Sequence, residues 1–415
     1  MESEYYQIVI VGAGPAGCST ALWIARLRPE LAGRILVLEK RRHPRGKACA
    51  GGLTAQAMLA LADLGLTLDI PHVKINHVRL LFENYSLDIQ RPGCMRVVRR
   101  DRFDAMLCEA VKAAGIQVRE DEPVLGIRFS DGACLIETAA GLYRAGAVIG
   151  ADGTRGLTHR LLPGYTRYSA VGLAVDTPEC AGDGGDYDAG RVTVDFTCNA
   201  AGVPGYVWHF PYCENGTRGF NRGIYSCSLK PERKSGNLIP HLRNSLERRG
   251  LKADGPIRGG YGGGYYRRPL ARPHLLLVGD AAGGNMLTGE GISQALRYGR
   301  IAAEEIVRAS ARRDFSFRSY TARLAASELG RELENARRFA ARFYTKGPRV
   351  ALSAMMGDDS LKSVVANYMT GARVNKGIRR DLLTRMLAAS LKRGAPGFGT
   401  FWKILGSITG KIARI

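Results

Sequence analysis

The stretch KACAGGLT, residues 47–54, sets one thiol, Cys49, among residues with almost no side chains. Such a thiol can be half of a disulfide, a metal ligand, or a group held close to something flat. The nine cysteines, at 18, 49, 94, 108, 134, 180, 198, 213 and 227, are odd in number, contain no C-x-x-C pair and share no zinc spacing with histidine. Free thiols in a reducing cytoplasm are the expectation from this usage. The third role is then the one left for Cys49.

The flat partner is suggested by the elements around it. QIVIVGAGPAGCSTALWIARL reads as an apolar strand (Gln7 to Val11), a loop Gly12-x-Gly14-x-x-Gly17 and a helix, followed by the strand RILVLEK ending at Glu39. Gly12 permits a tight turn, Gly14 lets backbone approach a pyrophosphate, and Gly17 lets the helix pack closely on the strand. The helix N-terminus favours negative charge. Glu39 is placed to accept ribose hydroxyls, so FAD or NAD fits better than a 2′-phosphorylated dinucleotide. A second strand-loop-helix unit, LLLVGDAAGGNMLTGEGISQAL (275–296), delivers Gly279 and Asp280 to a ligand and opens a helix at Gly289-Glu290-Gly291.

The uncharged run 5–25 could be mistaken for a leader or a membrane span, but the residues before it, MESE, are acidic. Gly12, Gly14, Pro15 and Gly17 also interrupt it where a helix should be continuous. At 415 residues the chain is expected to form two intimately packed domains. Its 60 Lys and Arg against 38 Asp and Glu, a net charge of +22, predict an anionic partner. From Arg331 onward there are 17 basic and 5 acidic residues, a net of +12, so over half of the excess lies in the last fifth. The segment 397–415 carries Phe401, Leu405, Ile408, Ile412 and Ile415 on one helical face and Lys403, Lys411 and Arg414 opposite, with Trp402 beside the stripe. This pattern predicts a helix lying on an anionic membrane surface. No nucleic-acid-binding motif is present.

GAGPAG, then RRDRFDAML, GADG, and GDAAG with LTGEGI, occur in the order found in FAD-dependent oxidoreductases of the p-hydroxybenzoate hydroxylase fold, and the resemblance spans residues 5–310. Within that fold KACAGGLT, PGYVWHFPY (204–212) and NMLTGEGI resemble segments of the geranylgeranyl reductases. Two positions depart from that pattern: Ala50 stands where glycine follows the cysteine, and Tyr212 where archaeal members often carry lysine.

The resemblance implies an α/β fold with a Rossmann-like FAD-binding domain (1–75, 97–165 and 268–310), an interleaved antiparallel-sheet substrate domain (76–96 and 166–267) and a helical basic C-terminal region (311–415). It implies FAD held by Gly12, Gly14, Pro15, Ala16, Gly17, Glu39 and Lys40, by the loop Lys47, Ala48, Cys49 and Ala50, and by Gly279, Asp280, Gly289, Gly291 and Ile292. One of the arginines near 100 (Arg99 and Arg102 among them) would lie near the flavin or its pyrophosphate. Gly51, Gly52, Tyr206, Trp208 and Phe210 would line the substrate. Tyr206 and Trp208 share one strand face, and His209 points to the other. The glycine-rich stretch 259–269 is expected to be a loop over the ring edge.

The implied activity is saturation of C=C bonds in a polyprenyl lipid or prenylated small molecule. Hydride would come from the flavin and a proton from a donor such as Cys49. Electrons would come from NAD(P)H or a small redox protein, at the inner face of the cell membrane. Rival expectations are an FAD monooxygenase, hydroxylating or epoxidising an aromatic or isoprenoid, then a flavin halogenase and a non-catalytic flavin-binding membrane protein.

Overall fold

The second half of strand Glu4–Val11 (β1) is apolar without alternation: Ile8, Val9 and Ile10 are fully buried. A strand covered on both faces needs that composition, as parallel sheets do. In the computed structural model, which describes residues 4–130, 132–164, 170–228, 236–252, 255–265, 268–346 and 359–371, β1 is central to the first of two sheets. Ile35–Leu38 (β2) and Leu142–Gly150 (β9) run parallel on either side of it. Gln117–Arg119 (β6) and Leu275–Leu277 (β16) flank those, also parallel. Ala271–Arg272 (β15) closes one edge, and the hairpin Val124–Ser130 (β7) and Ala133–Thr138 (β8) pairs with β9.

Register sets the site. Val11 lies opposite both Leu38 and Gly150, and Gly150 lies opposite Leu277. The strands therefore end together, and the loops that leave them share one carboxyl edge, where ligands of such sheets bind. Helix Pro15–Leu27 (α1) leaves that edge and crosses helix Ile292–Arg312 (α5) closely. A β-carbon at Gly299 would stand 2.3 Å from Ser19 Oγ, and that hydroxyl donates to Leu296 O at 2.7 Å.

The second sheet has the order β14-β10-β13-β12-β11-β4-β5-β3. Its strands are Gly52–Thr54 (β3), His72–Phe82 (β4), Tyr85–Val98 (β5), Ala170–Thr177 (β10), Arg191–Asp195 (β11), Gly205–Glu214 (β12), Thr217–Cys227 (β13) and Arg258–Gly262 (β14). It is antiparallel except for β4 with β11. It draws on earlier residues than a boundary at 76 implies, since β3 and the start of β4 belong to it. The expected glycine-rich loop is also different in its first half: Arg258–Gly262 is an edge strand on β10. Helix Ile239–Glu247 (α4) packs Leu242 and Leu246 against Val175, Val207 and Ile224 on one face. The opposite face, with Tyr206, Trp208 and Phe210, is left to the site.

Ala55–Asp63 (α2) and Arg100–Ala113 (α3) complete the cover of the first sheet, and Tyr320–Ala326 (α6) and Glu328–Lys346 (α7) follow α5. Met1–Lys346 form one compact unit; beyond it, Asp359–Met369 form a helix. The amphipathic segment 397–415 lies outside the described residues.

Candidate functional site

The glycine loop after β1 is fixed by contacts only glycine allows. A β-carbon at Gly17 would stand 1.9 Å from Gly12 O, so α1 can sit against the loop only without one. Pro15 occupies the first turn of α1, where its missing N–H costs nothing. Glu39, buried at the end of β2, accepts the Ala13 N–H at 3.0 Å and Arg45 Nη2 at 3.2 Å. Arg45 reaches on to Asp104 of α3 at 3.3 Å, and its Nη2 would be 3.7 Å from a β-carbon at Gly14. A guanidinium thus lies over the loop where a pyrophosphate would approach. On the other side of the edge, Gly279 comes within 2.6 Å of Ala16 Cβ, measured from its own would-be β-carbon. The Asp280 carboxylate lies beside Gly284 and Gly291, at the N-terminus of α5. The Asp of the GADG motif braces its own loop, since Asp152 accepts the N–H groups of Leu157 and Thr158 at 2.6 and 2.9 Å.

The thiol loop is also held by close backbone. Gly51 has φ +78°, in the left-handed region, and a β-carbon there would stand 2.0 Å from Val98 O. Its N–H donates to Cys49 Sγ at 3.4 Å. Gly52 faces Phe210, 3.1 Å from the would-be β-carbon, and Gly260 of β14 likewise approaches Ala48. Arg100, buried, forks onto Asp104 at 3.0 and 3.1 Å and also faces the Cys49 sulfur. Burial alone would lower its pKa, but Asp104 and Cys49 together raise it, so the cation is permanent. Thr54, just after the loop, donates to Glu290 Oε1 at 2.6 Å, as does Ser293 at 2.7 Å. Glu290 therefore ties the thiol loop to the turn at the start of α5. Burial raises its pKa against those two bonds.

The sheet face closes the third side. Tyr206 stacks near Tyr225 with ring centroids 5.2 Å apart, and Trp208 lies over Gly223, whose β-carbon would be 2.2 Å from the indole. Trp208 Nε1 donates to Asn221, which donates to Asp176. Asp176 also takes Arg99 and Arg258. Burial, with Cys49, Cys227 and Glu290 nearby, pushes the Tyr206 hydroxyl up, so it stays protonated. His209, on the opposite face, lies 3.2 Å from Arg222. Burial and then Arg249, Arg222 and Arg248 hold it far below the usual histidine range, so it is a neutral core residue rather than a base.

Most of the expected positions thus converge. Gly12, Gly14, Pro15, Ala16, Gly17 and Glu39 meet Gly279 and Asp280 at one edge. Cys49 and Gly52 meet Tyr206 and Phe210 nearby, Gly289 meets Tyr206 and Tyr225, and Gly291, just before Ile292 opens α5, lies beside Asp280. Lys40, Lys47 and Arg102 are exposed. Arg99 is spent on Asp176, Glu214 and the Tyr212 ring, so of the three neighbouring arginines Arg100 is the one that faces the thiol. Arg45, Thr54 and Tyr225 were not anticipated. No spacing rule marks Arg45, while Tyr225 is the cross-strand partner of Tyr206 and could have been found from hairpin register.

Residues 5–171 match the model of the FAD binding domain family. The chain is 31% identical to an uncharacterised protein of Methanosarcina barkeri over 72% of this chain and 74% of that one. It is 29% identical to digeranylgeranylglycerophospholipid reductase 2 of Methanopyrus kandleri, over 72% and 76%. The fold matches that of a geranylgeranyl bacteriochlorophyll reductase-like protein from Thermoplasma acidophilum with a TM-score of 0.70 and 22% identity, covering 94% and 96%. The chain belongs to the geranylgeranyl reductase family of FAD-dependent oxidoreductases. Its cofactor is FAD.

The residues of this family member fit that group. The Gly12–Gly17 loop offers a pyrophosphate glycine backbone, with the Arg45 guanidinium beside it. Arg45 Nε and Gln294 Nε2 are buried without an acceptor among the described residues, and each stands beside one of the two glycine loops. An oxygen-rich ligand along that edge satisfies both.

Proposed function

We propose that this flavoprotein saturates C=C bonds of a polyprenyl lipid, with Cys49 as the proton donor. The observation that carries the reading is the position of Cys49. Its glycine-flanked loop is pressed between the buried Arg100 guanidinium and the aromatic face led by Tyr206 and Phe210. The Methanopyrus relative and the Thermoplasma structural neighbour both carry names that concern geranylgeranyl groups.

When bound and reduced, FAD supplies the hydride that such a reduction needs. An unactivated alkene must also receive a proton on the second carbon, from a donor kept away from bulk water. The Cys49 thiol is that donor. As it gives up the proton, the fixed charge of Arg100 and the N–H of Gly51 stabilise the thiolate left behind. Tyr206, Trp208 and Phe210 offer an apolar wall along which a prenyl chain lies and from which water is excluded. His209 is on the far side of the sheet and takes no part. Solvent returns the proton to Cys49 between turnovers.

Electrons reach the site from NAD(P)H or a small redox protein, which docks transiently. No helix among the described residues is long and apolar enough to cross a membrane. We assign membrane contact to the basic segment 397–415, on the anionic inner face of the cell membrane. Truncation after residue 396 should abolish flotation with anionic liposomes.

Anaerobic incubation of the reduced protein with a digeranylgeranyl lipid tests the reaction. Product heavier by about 2 Da per double bond is expected, since one hydride and one proton add to each bond. Product that forms only with oxygen and gains about 16 Da would replace this reading with the monooxygenase one.

A further inference from the structure

Five tyrosine hydroxyls, each from a different element, donate to main-chain carbonyls between Leu277 and Thr288. Tyr320 of α6 reaches Leu277 O at 2.8 Å and Tyr298 of α5 reaches Gly283 O at 2.9 Å. The other three take consecutive carbonyls of one turn. Tyr225 of β13 donates to Met286 O at 2.9 Å, Tyr344 of α7 to Leu287 O at 2.7 Å, and Tyr206 of β12 to Thr288 O.

The N–H groups of the same turn are committed elsewhere: Asn285 Oδ1 accepts Leu287 N–H at 2.9 Å and Thr288 N–H at 3.3 Å. Met286 and Leu287 are buried, so water cannot replace the hydroxyls. With carbonyls pinned by tyrosines and amides by Asn285, the turn has one arrangement. It leads directly into Gly289, whose would-be β-carbon lies 2.9 Å from the Tyr225 ring, and into the first turn of α5.

Tyr344 is the distinctive member. It comes from the last turn of α7, far along the chain. Its neighbour Phe343 packs on Phe196 at 5.5 Å, and Phe196 packs on Tyr206 at 5.8 Å. The end of α7 therefore grips the turn directly and through the aromatic face.

We propose that Tyr206, Tyr225 and Tyr344 are positioning residues for the turn 286–289, and that Tyr344 makes the redox poise of the flavin depend on the docking of α7. This rests on the reading above: the turn runs on into Glu290, which holds Thr54 at the end of the Cys49 loop, so a flavin that serves that thiol lies beside the turn. Reduction places negative charge on the ring, and the amino end of α5 favours it. A carbonyl swung toward the ring opposes it. Removing one hydroxyl leaves a buried carbonyl without a donor, which is costly, so the turn rearranges to satisfy it.

The experiment is spectroelectrochemical titration of FAD-loaded Tyr344→Phe, Tyr225→Phe and Tyr320→Phe beside the wild type. Tyr320 is fully buried, but its carbonyl closes β16 rather than the turn. About a tenfold shift of the equilibrium toward oxidised flavin, or ~30 mV for a two-electron couple, is expected in Tyr344→Phe and Tyr225→Phe. Tyr320→Phe should melt earlier with an unchanged potential. Potentials in the two turn variants equal to wild type, or shifted no more than in Tyr320→Phe, would overturn the proposal. Wild-type protein that fails to reduce prenyl lipid would end the proposed function, while the potentials would still decide this one.

Discussion

The dinucleotide loop and the thiol loop are both glycine-built, yet they are held in opposite ways. The first is over-determined by its own neighbourhood in sequence. Gly12, Gly17 and Glu39 come from one strand-helix-strand run, Gly17 packing on Gly12 and Glu39 accepting the Ala13 N–H. The thiol loop is held by residues from far along the chain: Val98, Arg100, Phe210, Gly260 and, through Thr54, Glu290. A local unit can be reused for any dinucleotide, whereas a loop clamped from five directions is specific to one geometry. In the proposed reading, affinity for the cofactor belongs to the first region and the reaction to the second.

Substitutions should separate the two regions. The largest effect is expected from Cys49→Ser: prenyl-lipid turnover falls by about 10²–10⁴-fold, the range for loss of a positioned proton donor, while bound FAD is unchanged by absorbance. Unaltered turnover would remove Cys49 from the chemistry. Gly17→Ala should do the reverse. Its new β-carbon collides with Gly12 O, and overpacking of this kind should weaken FAD binding by more than about a hundredfold in a flavin fluorescence titration. Arg45→Met should weaken FAD by about tenfold through loss of a charge-assisted bond, with kcat at saturating FAD retained.

A separate effect is one of pH. Burial, with Arg268 and Arg160, holds His159 down to about 4, against an ordinary 6.5. The unfolded chain protonates this group as pH falls through 6.5, and the folded chain does not until about 4. Stability is therefore lost as pH falls across that window, by at most about 1.4 kcal/mol per unit. Urea melts of His159→Gln should show a shallower fall than the wild type.

The same contrast explains which features are legible in the sequence. The cradle was legible because its glycines, its capping proline and Glu39 are spaced by the geometry of a single strand-helix-strand unit. The second loop at Gly279–Asp280 was legible for the same reason. Arg45 was not, because it reaches Glu39 and Asp104 from a segment outside regular structure. Arg99, Arg100 and Arg102 looked equivalent as letters. Their helix phase separates them: Arg100 turns inward to Asp104, Arg102 faces solvent, and Arg99, just before α3, turns to the second sheet. The glycines of 259–262 suggested a loop, but as an edge strand they let Ala48 approach. The clustering of three tyrosine hydroxyls on one turn depends on β12, β13 and α7 meeting there, which no local pattern encodes.

The central claim is that the ring of FAD lies against the Cys49 loop, and alkylation tests it most directly. Cys49, Cys180 and Cys213 are the partly exposed thiols, and the other six are buried. Iodoacetamide labelling of the apoprotein and of the FAD-loaded protein, read peptide by peptide by mass spectrometry, should show Cys49 slowed by about tenfold or more when FAD is bound, as expected for a thiol whose access is covered. Cys180 and Cys213 should not change. Equal labelling of Cys49 with and without FAD would contradict the account.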